Sequence, residues 1–451
     1  MIAQRWRVVV VRLGLVLLAG GFMLTGGVRG ARAGLDEYVK KPDPAFAWSV
    51  AGTSTTPAGT ITSLRLTSQV WQGITWKHDL RVYEPREIAY PDAMLLFITG
   101  GDNDRQANDG DHKQAFGLAQ LCGARVAVLP QVPNQPLLDG KTEDKLIAET
   151  FVRYLQTKDE NWPLLFPMVK SAVRAMDAVQ AWAKEQGRPP VAKFVVTGGS
   201  KRGWTTWLTG AVDDRVVAIA PMVIVMLNLG KQGPNQLKVW GQYSEQIHDY
   251  VERGLMERVA TPEGTKLWQM VDPLTYRDRL TKPKLLINGT NDRYWTLDAL
   301  DLYWNELQGP KYLMELPNAG HDLKANRDWA LSGLGAFFHH VMTNRPLPQF
   351  TWDLARGAGG ESVLTIHATP APVVARIWTA RSASRDFRES QWESAPLKGA
   401  ETMTRLVQPV SSGHLALFGE LEYQIDGIPY HLTTTFLQPG APPPETGATK
   451  P

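Results

Sequence analysis

A single cysteine, Cys122, occurs among 451 residues, so no intramolecular disulfide can form. Small exported domains usually depend on such bridges; a chain this long buries enough apolar surface to do without them. Cys122 closes the run 115–121 beside Gly123, where a small buried thiol is expected. An excess of charge of one sign is equally missing: 48 Lys and Arg against 45 Asp and Glu leave a net +3. That balance carries no electrostatic signature of a nucleic-acid partner or an anionic membrane surface. There are no internal repeats, and no apolar stretch of membrane-spanning length beyond the N terminus.

The N-terminal stretch reads as a secretory signal over residues 1–33. Arg5, Arg7 and Arg12 form a basic start, Val8 to Leu18 is mostly apolar, and Ala31-Arg32-Ala33 offers small residues for cleavage after Ala33. Arg12 and Gly20-Gly21 interrupt the run, which makes it a poor bilayer anchor. No cysteine follows it for lipid attachment. The expectation is a soluble periplasmic or secreted protein, with no stable membrane span once the signal is removed. Tryptophan, in contrast, is plentiful at 16 residues; most should pack in a core and some in a binding cleft.

From Ala93 the chain shows short continuous apolar runs: 94–99, 125–129, 193–197, 216–220, 284–288 and 312–316. Strands of a parallel sheet covered by helices on both faces have this composition. The intervening stretches 114–121, 167–185, 204–211 and 299–308 read as helices, and Leu165, Val169, Val173, Met176, Val179 and Trp182 mark an amphipathic face. Before them, 61–71 and 74–83 alternate apolar and polar residues around a Gln72-Gly73 turn, as antiparallel strands do. The predicted fold is an α/β-hydrolase domain over 34–345, built on a mostly parallel doubly wound sheet. Two insertions, about 131–161 and 228–280, are expected to form a lid. Beyond Pro346 and Pro348, five alternating segments predict a small antiparallel β-sandwich over 346–438. Residues 439–451, rich in Pro, Gly and Thr, should be a disordered tail.

Gly198-Gly199-Ser200-Lys201-Arg202-Gly203 lies between an apolar strand and a helix. A serine on so sharp a turn has its hydroxyl held clear of the sheet at a helix N terminus. The pattern is G-x-S-x-x-G rather than G-x-S-x-G, and it lacks the Gly-Lys-Ser/Thr order of a nucleotide-binding loop. A nucleophilic serine needs a base, and the base needs a carboxylate. In the chain order of α/β-hydrolases these follow later strands, first the acid and then the histidine. Asp292 comes four residues after the run 284–288, and His321 five residues after 312–316. Ser200, Asp292 and His321 are therefore the expected catalytic residues. Asp322 is expected to cap the next helix, Asp298 and Asp301 to face solvent from a helix, and His78, His112, His248, His339 and His340 to be packed or surface residues.

Oxyanion binding would fall to the backbone N–H of Lys201 and to that of Gly101 or Asp102, in the loop after 94–99. Residues 104–111 are dense in oxygen ligands, but their spacing does not match a calcium loop, so no metal is expected. Arg202, Trp204 and Trp295 are candidate substrate contacts. For Arg202, the alternatives are an anionic substrate, acids of the lid, or nearby carbonyls that lock the turn.

The segment Gly198 to Leu208 resembles the nucleophile segment of the PhoPQ-activated pathogenicity-related protein family. Residues 287–292 and 316–321 are similar to its later segments, and the resemblance extends over about residues 35 to 440. It implies an exported α/β-hydrolase associated with bacterial envelope stress and virulence regulation, with secreted eukaryotic relatives that act as extracellular signals. Ser200, Asp292 and His321 each match the family pattern.

The expected activity is hydrolysis of an ester or amide bond in a small-molecule or peptide substrate, through an acyl-enzyme and without a cofactor. The rival is a binding or signalling protein on the same scaffold, with the β-domain and its tryptophans facing a glycan or protein partner. A lid or side chain filling the space above Ser200 would favour that rival.

Overall fold

The computed structural model describes residues 34–357 and 360–439; the leader at 1–33 and the tail beyond Pro439 lie outside the described residues. Nine strands form the main sheet: β1 (Ala47–Thr56), β2 (Gly59–Trp71), β3 (Ile74–Pro85), β4 (Ala93–Ile98), β5 (Arg125–Leu129), β6 (Lys193–Gly199), β7 (Val216–Met222), β8 (Lys284–Gly289) and β9 (Lys311–Leu316). Their order is β1-β2-β3-β5-β4-β6-β7-β8-β9. The first four pair antiparallel, and β5 through β9 run parallel.

Alternation along the parallel strands feeds two separate cores. Met94, Leu96, Ile98, Phe194 and Val196 pack on one face with the Leu165–Glu185 and Lys201–Val212 helices. Ala93, Leu95, Val195, Leu285 and Ile287 face the other, where the Asp109–Cys122 and Arg327–Thr343 helices lie. Both faces are covered, which is why these strands read as unbroken apolar runs. Cys122 is free and buried in the second core.

The same core continues into two four-stranded antiparallel sheets. One has the order β10 (Gln349–Arg356), β11 (Ser362–Thr369), β15 (Thr402–Val407), β14 (Lys398–Gly399). The other has the order β13 (Glu393–Pro396), β12 (Val374–Ser382), β16 (His414–Ile425), β17 (Ile428–Thr433). Leu364, Ile366, Ile377, Leu417 and Leu421 belong to the same buried cluster as the helix residues Leu334, Phe337 and Phe338, so the sandwich and the hydrolase unit share one apolar core.

Two expectations need correction. The stretch 299–308 is not one helix but two 3-10 turns, Leu300–Leu302 and Trp304–Glu306, broken at Tyr303, whose ring is buried. Asp322 caps a turn rather than the next helix: its Oδ1 accepts Lys324 N–H, and that helix starts only at Arg327. β1 went unforeseen. It is an exposed edge strand with no buried side chain, so it carries no hydrophobic pattern to read.

Candidate active site

Ser200 joins β6 to the Lys201–Val212 helix with φ 57° and ψ −128°, a conformation rare for a residue with a side chain. Its N–H donates to Met222 O at 2.9 Å. A Cβ on Gly198 would lie 2.8 Å from Arg202 O, and one on Gly203 would lie 2.7 Å from Ile224 Cγ2 and 2.8 Å from Met222 O. The glycine three residues after the serine is thus required where the helix presses on β7, and G-x-S-x-x-G is the working form of the turn here.

Asp292 follows β8 and His321 follows β9, on loops stitched to each other. Asn291 N donates to Ala319 O at 2.9 Å, and Asn318 N donates to Thr290 Oγ1 at 2.8 Å. A Cβ on Gly289 would meet Ala319 O at 2.3 Å, so the crossing needs glycine there. Asp292 Oδ2 lies 2.7 Å from His321 Nδ1, while its Oδ1 accepts Tyr294 N–H at 2.9 Å. The carboxylate is buried and the imidazole is partly exposed. The Tyr294 ring lies against His321 with centroids 4.3 Å apart. Tyr294 and Trp295, close to Asp292 in the chain, line the same pocket as Ser200, and Ser200, Asp292 and His321 follow the carboxyl ends of the parallel strands β6, β8 and β9.

Lys201 and Arg202 are both buried and turn toward the insertion at 131–161. Arg202 Nη1 and Nη2 each donate to Glu143 at 2.7 Å, and its Nε donates to Val132 O at 2.5 Å. Lys201 Nζ lies 2.8 Å from Glu143 Oε2 and 3.2 Å from Asp144 Oδ2. Burial alone would raise the Glu143 carboxyl, but the hydrogen bonds and charge of Arg202, then Lys201, hold it well below the ordinary range. Of the alternatives for Arg202, the lid acid and the nearby carbonyl are the ones observed: its guanidinium ties the turn to the insertion, and it is not among the residues lining the pocket, against the expected substrate contact. Gly100 is needed for this, since a Cβ there would lie 2.1 Å from Arg202 Nη2.

The loop after β4 runs beside the serine turn, with Ile98 paired to Gly198. Gly101 has φ +103°, and Asp102 bridges to Gln135. Oxygens of the 104–111 loop are used locally: Asn108 and Asp111 form a capping box, and Arg105 pairs with Asp111. Among the described residues, the one acid and histidine cluster with metal-like spacing is Glu420, Glu422 and His431. Arg376 already donates to both of those glutamates.

Trp204 and Trp295 line the pocket, whose empty space, open solvent at its mouth included, is about 740 Å³. Its roof comes from the 228–280 insertion through Leu229, Met256 and Trp268. Asp144 and Tyr250 also contribute; neither they nor Trp268 were anticipated. Only the paired charges Lys201-Arg202 hinted at acids on the lid. Asp298, expected to face solvent on a helix, lies in a turn and is held by Asn235 and Arg385. The other histidines hold packing or surface positions; His78, for example, is buried between Ser68 and Pro130 O.

Among solved structures the chain is similar to acetyl xylan esterase 1 from Thermoanaerobacterium sp., at 15% identity and a TM-score of 0.50, over 69% of this chain and 93% of that one. An acetyl xylan esterase from a Paenibacillus species matches at 13% identity and a TM-score of 0.46, over 72% and 96%. The fold is that of the α/β-hydrolases. Autocrine proliferation repressor protein A of Dictyostelium discoideum is 35% identical over 375 residues, 78% of this chain and 76% of that protein. A family model matches residues 35–388, ending within the sandwich rather than near 440. The chain belongs to the PhoPQ-activated pathogenicity-related protein family.

Proposed function

We propose that the protein is a serine hydrolase acting on ester or amide bonds. The observation that carries this reading is the 2.7 Å contact between Asp292 and His321 on loops after β8 and β9, with Ser200 on the turn after β6 at φ 57°. Ser200 Oγ attacks the substrate carbonyl carbon as His321 Nε2 takes its proton. The backbone N–H of Lys201, with that of Gly101 or Asp102, stabilises the oxyanion. His321 passes the proton to the leaving oxygen or nitrogen as the bond breaks, leaving an acyl-serine. Water then attacks that ester, giving its proton to His321, and Ser200 leaves with it. Asp292 orients the imidazole through Nδ1.

The leader supports export to the periplasm or outside the cell. The family's description as pathogenicity-related supports a role in virulence. The name of the Dictyostelium relative favours a second reading, a signalling protein without turnover. Ser200 lines a pocket with mostly apolar walls, which weighs against it.

Labelling by a fluorophosphonate probe tests the choice. The mature wild type should label, and Ser200→Ala and His321→Ala should not. A folded wild type that stays unlabelled would favour the signalling protein.

A further inference from the structure

The walls of the pocket specify its ligand. Ile224, Met226, Leu229 and Met256 with the rings of Trp204 and Trp268 make up much of its surface. No charged side chain on that wall lacks a partner among the described residues. Asp144 accepts Tyr250 OH at 3.0 Å and Tyr294 OH at 3.3 Å, and it pairs with Lys201, whose Nζ also reaches Glu143. The Gln236 amide donates to Tyr294 O and accepts Ser244 N–H. The Gln232 amide donates to Leu227 O, and Trp204 Nε1 donates to Val271 O. The indole N–H groups of Trp268 and Trp295 are buried without a partner among the described residues. Such a wall offers a sugar ring or an ionic group little to replace its lost hydration, whereas each buried methylene is favourable.

We infer that this pocket receives the acyl part of the substrate, and that this acyl part is an uncharged apolar group larger than acetyl. The inference rests on Ser200 being the nucleophile. Glu143 and Asp144 neutralise Lys201 and Arg202, so the two cations beside the serine do not select an anionic substrate. Because the roof belongs to the 228–280 insertion, that insertion sets acyl specificity.

The test measures kcat/KM for p-nitrophenyl acetate, butyrate, hexanoate and octanoate on the full mature chain, with fluorophosphonate labelling in parallel. Full burial of a methylene is worth about fourfold in rate, the equivalent of about 0.8 kcal/mol. A rise of at least about tenfold from acetate to hexanoate is expected. N-acetyl-leucine p-nitrophenyl ester separates two sources of the same chemistry: preference over hexanoate identifies an amino-acid side chain, and the reverse identifies a fatty acyl chain.

A Cβ on Gly233 would meet Met256 Cε at 2.7 Å, so Gly233→Leu drives bulk into the pocket and should lower the hexanoate-to-acetate ratio about tenfold. Val259→Trp, at a half-buried lid position, does the same should Gly233→Leu fail to fold. A flat or falling series in a protein that still labels overturns the inference and leaves the serine hydrolase standing. So does a ratio that neither variant moves. An unlabelled wild type removes both.

Discussion

Asn318 and Trp392 exchange two hydrogen bonds across the junction of hydrolase unit and sandwich. Asn318 Nδ2 donates to Trp392 O at 3.0 Å, and Trp392 N donates to Asn318 Oδ1 at 2.8 Å. From the loop of Asp292, Asn291 Nδ2 donates to Arg388 O at 3.1 Å and to Ser390 O at 2.7 Å. Trp392 is itself buried against Phe418 and Phe436. One short segment of the sandwich thus holds both loops that carry the proposed acid and base. The same region reaches the lid, where Arg388 pairs with Glu245 and covers the Trp240 ring.

Cutting these clamps should loosen the site more than the fold. Asn318→Ala and Asn291→Ala are expected to lower kcat by about tenfold to a hundredfold, because misplacement on the order of 1 Å has that effect. KM should change little, since neither residue lines the pocket. Asn318→Asp keeps the acceptor for Trp392 N–H and should lose less. Steady-state kinetics beside thermal melting separates a positioning effect from unfolding.

Asp292→Asn should do far more damage than either clamp. An amide there would present a donor to His321 Nδ1 and favour the wrong tautomer, at a loss on the order of ten-thousandfold in kcat. The variant should stay folded, because Tyr294 N–H still finds an acceptor at that position. A loss no larger than that of Asn318→Ala, measured on one ester, would remove Asp292 from the triad.

How far the sequence was legible follows the range of each interaction. The parallel strands could be read because burial on both faces leaves unbroken apolar runs at β4, β6 and β8. Asp292 and His321 could be read because each follows such a run closely. Glu143 could not: its partners Lys201 and Arg202 lie 58 and 59 residues away, and ion pairs at that distance leave no local pattern. The Asn318 clamp was equally hidden, because its acceptor is a backbone carbonyl, which every residue has. For Arg202 the choice between substrate, lid acids and turn carbonyls stayed open, since a cation beside a nucleophile looks alike whether it faces ligand or lid.

Glu143→Gln tests the lock between the lid and the serine turn. Arg202 and Lys201 would stay buried with one fewer anion between them. A loss of about 1–3 kcal/mol is expected, less than for a fully buried pair because Glu143 is 40% exposed. Glu143 has φ 50° and is clamped by Gln135 at both its N–H and its carboxylate, so its placement is fixed in advance. Its carboxyl is held below the ordinary range, so its stabilisation is complete above about pH 4.3 and fades as pH falls through the folded value. Denaturant midpoints of wild type and variant should converge in acid. A gap that persists at low pH would show that the ion pairs do not account for it.

Glu315 gives the opposite sign. It is buried on β9 and accepts Asn288 Nδ2 at 3.2 Å. Burial first, and then the nearby Asp292 charge, push its carboxyl up to about 8, against a lowering by Asn288. At neutral pH it is mainly the neutral acid, so no second negative charge stands behind Asp292. A group whose folded value is raised binds more protons in the native state. Its contribution is full below about pH 4.3 and is lost as pH rises through about 8. Glu315→Gln keeps the shape and removes the ionisation, so it should match wild type near pH 5 and become the more stable of the two toward pH 9. The gap should widen by up to about 1.4 kcal/mol per pH unit, read from urea midpoints across that range. Parallel curves would mean that Glu315 is ionised in the folded protein, and the carboxylates behind His321 would then have to carry two charges together.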